Sequence, residues 1–249
     1  MTSPSSVTPG RSLVIPMWNE AARIGTTVAA IADSPLANQP LHLILADDGS
    51  TDSSCVVADA ALSKAVAGST ITGEVLSLPH SGKGGTVRAG ILRARTEYVA
   101  FTDADLAAPP EDINRVFAAL EAGRGDVVAG IRTSDGGDPA PPMRQAARLV
   151  MRSVVRGLGL TKVPDTQCGL KAFTHVAAQA VLTPLQTDGF AFDVELLARA
   201  ERLGLRIHSE PVAWRHGEGS TVHLASAAPA MVFQMLVMMR DRRSWPTRL

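Results

Sequence analysis

Tyr98-Val99-Ala100-Phe101-Thr102-Asp103-Ala104-Asp105 is the stretch on which the fold turns: a short apolar run delivering two carboxylates one residue apart. A run this short, with no polar alternation, reads as a strand over 98–102 buried on both faces, as in a parallel sheet. Pro109-Pro110-Glu111 then opens a helix. Moving outward, apolar runs at 12–16, 41–46, 74–78 and 126–129 read as four more strands. Between them lie helical segments at 20–32, 52–66 and 83–95; Ala22, Ile24, Val28 and Ile31 show the near-helical spacing of the first. Strand and helix alternate through the first 130 residues, which predicts an α/β fold: a mostly parallel sheet with helices on both faces. Such sheets bind ligands beyond the carboxyl ends of their strands.

Polar segments crowd that edge. Pro16-Met17-Trp18-Asn19-Glu20 follows the first strand, Asp47-Asp48-Gly49-Ser50-Thr51-Asp52 the second, and His80-Ser81-Gly82-Lys83-Gly84-Gly85 the third. Two carboxylates at a strand end can hold a hard divalent cation able to bridge a diphosphate. Taken alone, Asp103-Ala104-Asp105 is more often a helix-capping turn, and its context reverses that reading. Carboxylates after the second strand suit ribose hydroxyls or base N–H groups. Glycines 82, 84 and 85 would let the backbone approach a phosphate or sugar closely, with Lys83 and a helix N-terminus adding positive potential. The turn lacks the Gly-Lys-Ser/Thr ending of a P-loop.

Beyond residue 130 the alternation weakens. Residues 134–142 read as a loop, 143–157 as a helix with Arg144, Arg148, Arg152 and Arg156 along one stripe, and 166–173 as a compact polar segment. A helix at 192–203 and a strand at 207–212 follow. The domain reading is a disordered Ser/Thr/Pro-rich tail at 1–10, one α/β domain over 11–225, and a C-terminal amphipathic helix with a basic tail at 226–249. The apolar stretch 227–239 is too short for the roughly 20 residues a bilayer span needs. Followed by Arg240, Arg242 and Arg243, it reads as a core or homodimer helix, or as an interfacial helix lying on a membrane. The arginine stripe is a solvated face or a cationic lip for a lipid phosphate.

Composition sets bounds. The 249 residues are 45% hydrophobic, enough for a sizeable core in one domain. Net charge is +0, which argues against a nucleic-acid partner. Cys55 and Cys168 make neither a disulfide framework nor a zinc spacing, and Cys168 reads as a buried small residue. No signal peptide opens the sequence, so the expected location is cytoplasmic, peripheral at the inner face of the cell membrane.

The acidic and glycine-rich segments, with Gly82-Lys83-Gly84-Gly85-Thr86-Val87-Arg88, Asp165-Thr166-Gln167-Cys168-Gly169-Leu170-Lys171, Phe190-Ala191-Phe192-Asp193-Val194-Glu195-Leu196-Leu197 and Gly217-Glu218-Gly219-Ser220, resemble family 2 glycosyltransferases of the GT-A fold. Within that family the sequence is similar to the branch making dolichyl- and polyprenyl-phosphate sugars, closer to the glucosyl than to the mannosyl type, over about 13–243. The resemblance implies that Pro16, Trp18, Glu20, Asp47 and Asp48 frame the nucleoside. It implies that Lys83, Gly84 and Asp103-Ala104-Asp105 meet the rest of a UDP- or GDP-hexose donor. Asp103 and Asp105 would hold Mg²⁺ or Mn²⁺, with His216 a candidate third ligand. Arg132 would contact an acceptor phosphate, and Gln167, Asp193 and Glu195 would lie near the sugar or the acceptor entrance. Some mannosyl-type relatives carry a metal-contacting Gln two residues after the second Asp; Ala107 stands here, shifting coordination toward diphosphate oxygens and water.

The implied reaction transfers glucose or mannose, with inversion, to polyprenyl phosphate. A phosphate nucleophile is already ionised, so positioning by arginine matters more than a base. A hydroxyl acceptor would need one, and Asp193 is the candidate. The competing expectations are a soluble family 2 enzyme with a small phosphorylated acceptor, and a silent nucleotide-sugar-binding protein. Retention of Asp48, Asp103 and Asp105 together counts against the silent protein. A sugar nucleotidyltransferase would open with a glycine-rich basic loop, which Pro16-Met17-Trp18-Asn19-Glu20 is not.

Overall fold

The computed structural model describes residues 7–133, 142–214 and 224–247. Seven strands make one mixed sheet: β1 (Thr8–Met17), β2 (Leu41–Asp47), β3 (Ile71–Ser77), β4 (Thr96–Phe101), β5 (Val127–Thr133), β6 (Lys171–Thr174) and β7 (Ile207–Ala213). Their spatial order is β3-β2-β1-β4-β6-β5-β7. All neighbours pair in parallel except β6, which runs antiparallel to β4 and β5.

Residue alternation along the central strands explains the layers, because successive side chains point to opposite faces. Leu13, Ile15, Leu43 and Leu45 pack with Ile24, Val28 and Ile31 of α1 (Ile24–Ala32), Leu62 of α2 (Ser54–Val66) and Ile113, Val116 and Phe117 of α4 (Pro110–Glu121). Val14, Ile44 and Ala46 face the other way. They meet Val87 and Ile91 of α3 (Lys83–Arg93), Val181 of α6 (His175–Leu182) and Leu196 of α7 (Phe192–Arg202). A third apolar cluster joins Val155 of α5 (Pro142–Gly157), Val194 of α7, Met231, Met235 and Met238 of α8 (Leu224–Asp241), and Trp245. The C-terminal helix is therefore fastened to the back of α7 by unbranched, adaptable methionines.

The antiparallel β6 (Lys171–Thr174) overlaps the end of the 166–173 segment that reads as merely compact and polar. Only four residues long, it begins on a lysine, so hydropathy carries no trace of a central strand. Its direction has a functional consequence. Lys171 pairs with Phe101, so the start of β6, not its end, meets the carboxyl edge of β4. The preceding residues 165–170 are thereby drawn onto that edge.

α3 lies close on the sheet because Gly90 has no side chain: a Cβ there would intrude on Val14 and reach 3.5 Å from the Ala46 Cβ. Gly90→Val should lower the urea midpoint with unchanged m-value, costing about 1–3 kcal/mol as overpacking does.

Candidate active site

The loops after β1 and β2 are laced into one rim. Asn19 adopts a left-handed φ of 55°. Its Oδ1 accepts the Thr51 N–H at 2.9 Å, while the Ser50 hydroxyl oxygen accepts the Asn19 N–H at 2.8 Å. The Ser54 hydroxyl oxygen accepts the Glu20 N–H at 2.7 Å, and residues 21–23 form a turn, so that α1 starts at Ile24 rather than at residue 20. Trp18, 49% exposed, stacks on His80 with ring centroids 5.2 Å apart.

The adjacent aspartates divide the work. Asp47 Oδ2 accepts the Ser50 N–H at 3.0 Å, but its Oδ1 is buried without a hydrogen-bond partner among the described residues. Asp48 is committed to the protein: it accepts the Ser81 N–H at 2.8 Å and the Gly82 N–H at 3.0 Å, and lies 2.9 Å from His80 Nδ1. Asp48 thus shapes the glycine-rich turn, whereas Asp47 keeps one carboxylate oxygen without a hydrogen bond among the described residues.

That turn corrects one expectation. Gly84 makes its close approach to the protein's own chain, not outward to a ligand. Its N–H donates to the Asp188 carbonyl at 2.7 Å, and a Cβ would lie 2.5 Å from the Thr187 carbonyl oxygen. Gly82, at φ 100°, is likewise pressed against Asp188. A strap at 186–189 therefore covers the N-terminus of α3, which the sequence reading had left open for phosphate. Lys83 projects past it to the Asp103 carboxylate, Nζ to Oδ1 2.6 Å.

Asp103 and Asp105 follow β4 as expected. Asp105 Oδ1 accepts the Ala107 N–H at 3.0 Å, and its other oxygen has no hydrogen bond among the described residues. Ala104 is buried beneath α1, where its carbonyl accepts the Thr27 hydroxyl at 2.6 Å, so it pins the loop between the acids. Burial first, and the Asp103 charge second, raise the Asp105 pKa. Glu20 is raised by burial too; Arg23 opposes this, and Asp105, Asp52 and Asp103 add to it. Burial alone would lower the Lys83 ammonium, but Asp103 and Asp193 outweigh it and leave its pKa raised. Half-buried carboxylates set close together, with one carboxylate oxygen uncommitted, are the environment a hard cation relieves. Among the described residues no three His, Cys, Asp or Glu side chains form a metal cage, so a cation here would take further ligands from the substrate. His216 lies outside the described residues, as do residues 217–220.

The 165–170 segment and α7 complete the site. Lys171, fully buried, donates to the Thr166 and Cys168 carbonyls at 3.1 and 2.7 Å and pairs with Asp193 Oδ1 at 2.6 Å. Burial raises the Asp193 carboxyl despite the pull of Lys171 and Lys83. Arg132 grips Asp165 in a two-pronged pair, Nε–Oδ2 2.7 Å and Nη2–Oδ1 2.6 Å, with its guanidinium 5.2 Å from the Trp214 ring centroid. Gln167 Nε2 is buried without a partner among the described residues. Burial, with Asp165 next, pushes the Cys168 thiol up to about 12, far from a nucleophile's range. Glu195 departs from its expected place at an acceptor entrance. Both of its oxygens are taken by the Gln186 and Thr187 N–H groups and by Arg199.

Lys171, Asp188 and Trp214 were given no role from the sequence. Lys171 carried no local signal, because neither β6 nor the burial of its ammonium beside Asp193 is visible in hydropathy. The side chains of Arg144 and Arg148 fall outside the described residues; Arg152 and Arg156 are exposed.

This edge carries an acid pair directly after β4 of a mixed seven-stranded sheet. The family profile described as glycosyl transferase family 2 matches residues 12–181, and the chain belongs to that family. It is a glycosyltransferase. It is 28% identical over 252 residues to the dolichyl-phosphate beta-glucosyltransferase of Saccharomyces cerevisiae, covering 91% of this chain and 73% of that protein. To the dolichyl-phosphate beta-glucosyltransferase of Drosophila melanogaster it is 31% identical over 223 residues, 84% of this chain and 68% of the other. Among solved structures it is similar to glucosyl-3-phosphoglycerate synthase from Mycobacterium tuberculosis, crystallised with Mn²⁺, UDP and glucosyl-3-phosphoglycerate. That likeness has a TM-score of 0.69 at 22% identity and covers 96% of this chain and 81% of that one; it shows the fold.

Gly169 is packed directly on the Asp103 carboxylate, and a Cβ there would displace it. Because a side-chain tip can yield, Gly169→Ala should fold with a near-normal thermal midpoint. Its transfer rate should fall about 100-fold, the cost of a small misplacement at a reacting centre.

Proposed function

We propose that this glycosyltransferase moves glucose from UDP-glucose to a polyprenyl phosphate, with inversion, at the cytoplasmic face of a membrane. The observation that carries the reading is the acid pair Asp103 and Asp105 beside Lys83, on the same edge as the unpartnered Asp47 Oδ1. The names of the dolichyl-phosphate beta-glucosyltransferase relatives support the sugar and the acceptor class.

In this reading Asp47 Oδ1 accepts an N–H or O–H from the nucleoside, which removes a desolvation cost of about 1–3 kcal/mol. The exposed Trp18 ring offers the base a stacking face. Asp103 and Asp105 would hold Mg²⁺ or Mn²⁺, which supplies charge neutralisation to the departing diphosphate. Lys83 adds a fixed ammonium on the same side. Gln167 Nε2, a buried donor without an acceptor, suits a sugar hydroxyl or a phosphate oxygen. Arg132 uses Nε and one terminal nitrogen on Asp165, which leaves its other terminal nitrogen to orient the acceptor phosphate. With an ionised phosphate as nucleophile no proton need be removed, so Asp193, paired with Lys171, serves to hold the sugar pocket rather than as a base.

Among the described residues no helix is long and apolar enough to cross a membrane. Access to a lipid would instead use α8. Phe233 is 68% exposed, near the exposed Leu236 and Met239, with exposed Arg240 in the last turn and exposed Arg243 in the 3-10 turn that follows. Such a face suits the boundary of an anionic bilayer. Phe233→Glu with Leu236→Glu should abolish sedimentation with anionic liposomes while transfer to a short-chain soluble polyprenyl phosphate persists. Unchanged sedimentation would refute α8 as the membrane contact, and a wild type that does not sediment would favour a small phosphorylated acceptor in solution.

A panel of radiolabelled UDP-glucose and GDP-mannose incubated with membranes should carry label into the organic phase from UDP-glucose. Label confined to the aqueous phase refutes the lipid acceptor, and label from GDP-mannose refutes the donor. Asp105→Asn should abolish that transfer. It should also raise the thermal midpoint at pH 7. The folded Asp105 carboxyl binds its proton more tightly than in the unfolded chain, so its ionisation costs stability as pH rises past the ordinary 3.8. The gain should vanish below that pH, and Mn²⁺ should raise the midpoint of the wild type but not of the variant.

A further inference from the structure

Glu195 is 1% exposed and lies in the first turn of α7, and none of its contacts is to open space. Its Oε2 accepts the Thr187 N–H at 2.8 Å, and the Gln186 N–H lies 3.1 and 3.2 Å from its two oxygens. Arg199 Nε, one turn along the helix, donates to Oε1 at 2.7 Å. A buried carboxylate with every near neighbour a donor is a brace, and here it grips a loop with no regular hydrogen bonding of its own. The far side of that loop closes on the donor site. The Asp188 carbonyl accepts the Gly84 N–H at 2.7 Å and the Gly85 N–H at 3.4 Å, and the residue between Gly82 and Gly84 is Lys83, whose ammonium meets Asp103. The strap can lie this close only because Gly84 has no Cβ.

The brace is itself tethered. The Arg199 guanidinium lies 4.0 Å from the Trp245 ring centroid, and Arg202 donates to the Trp245 and Arg243 carbonyls at 2.9 and 3.1 Å. A Cβ on Gly189 would lie 3.4 Å from the Gln234 amide of α8. The strap is thus fixed by α7 from below and bounded by α8 alongside.

We propose that Glu195 is a positioning residue for donor binding: through Thr187 and Asp188 it holds the N-terminus of α3 so that Lys83 is aimed at Asp103 and the donor diphosphate. The proposal rests on the donor reading of this edge. It differs from an acceptor contact, because Glu195 has no oxygen left for an acceptor, and it explains why a charged pair is kept where apolar packing would be as stable.

The test is the double variant Glu195→Met with Arg199→Met, which removes the brace without stranding a buried charge. Three quantities are measured: thermal midpoint, amide exchange at Gly84 and Gly85, and affinity for UDP with Mn²⁺. The expected result is a folded protein whose Gly84 and Gly85 amides exchange about tenfold faster, with the central β1 amides unchanged. UDP affinity should fall about tenfold or more. Glu195→Gln, which keeps an oxygen for Thr187, should restore affinity to within about threefold of wild type. Should the double variant not fold, Gly84→Ala pushes the strap away from the opposite side and should show the same loss of UDP affinity. Unchanged exchange at Gly84 and Gly85, or unchanged UDP affinity in a folded variant, overturns the proposal. Wild type that fails to bind UDP refutes the donor reading instead, and the exchange measurement still decides whether Glu195 holds the strap.

Discussion

The site depends on a charge imbalance: Asp103, Asp105, Glu20 and Asp193 are gathered at one end of a sheet, with two lysines set among them. Lys83 meets Asp103 at 2.6 Å and Lys171 meets Asp193 at 2.6 Å. Burial raises the pKa of Asp105, Glu20 and Asp193; neighbouring carboxylates add to the rise at Asp105 and Glu20, while the two lysines oppose it at Asp193. A protein folding for stability alone would neutralise one of these acids. In the function proposed above, keeping them leaves negative charge for a cation to relieve, an exchange of stability for function.

The remaining architecture serves to hold that imbalance in place. Ala104 is buried and its carbonyl bound by Thr27, so the acids on either side of it project from a pinned loop. Gly169 lets the 165–170 segment lie directly on Asp103. Asp48, which looks from sequence like a ligand contact, spends its oxygens on the Ser81 and Gly82 amides and so fixes the entry to Lys83. On the far side of Lys83 the strap from Glu195 does the same through Asp188. Lys83 is clamped from both sequence neighbours, which is how a long flexible side chain is made to present one geometry.

The parallel part of the fold and the acid pair were legible because each element there carries its own signal. Runs such as Leu41-His42-Leu43-Ile44-Leu45-Ala46 can be little else than buried strands, and carboxylates after them must fall on the carboxyl edge. The glycine-rich turn was legible as a close approach but not as to what approaches. Glycine reports only the absence of a side chain, and whether a phosphate or residues 187–188 fill that space is a matter of distant chain. Glu195 was misplaced for the same reason: its sequence spacing is compatible with a face toward the ligand, and only the path of 186–188 shows that its oxygens are taken.

By itself, then, the sequence determined the sheet's layering and the place of the acid pair at the carboxyl edge of β4, since these follow from local hydropathy and from the order of strands. The tertiary structure decided β6. A four-residue antiparallel strand starting on a lysine is stable only because Phe101, Asp193 and the Thr166 and Cys168 carbonyls surround that ammonium. It likewise decided which polar residues are free and which are spent, for Asp47 against Asp48 and for Gln167 against Glu195. Hydrogen bonds between residues far apart in the chain settle that, and no local pattern encodes them.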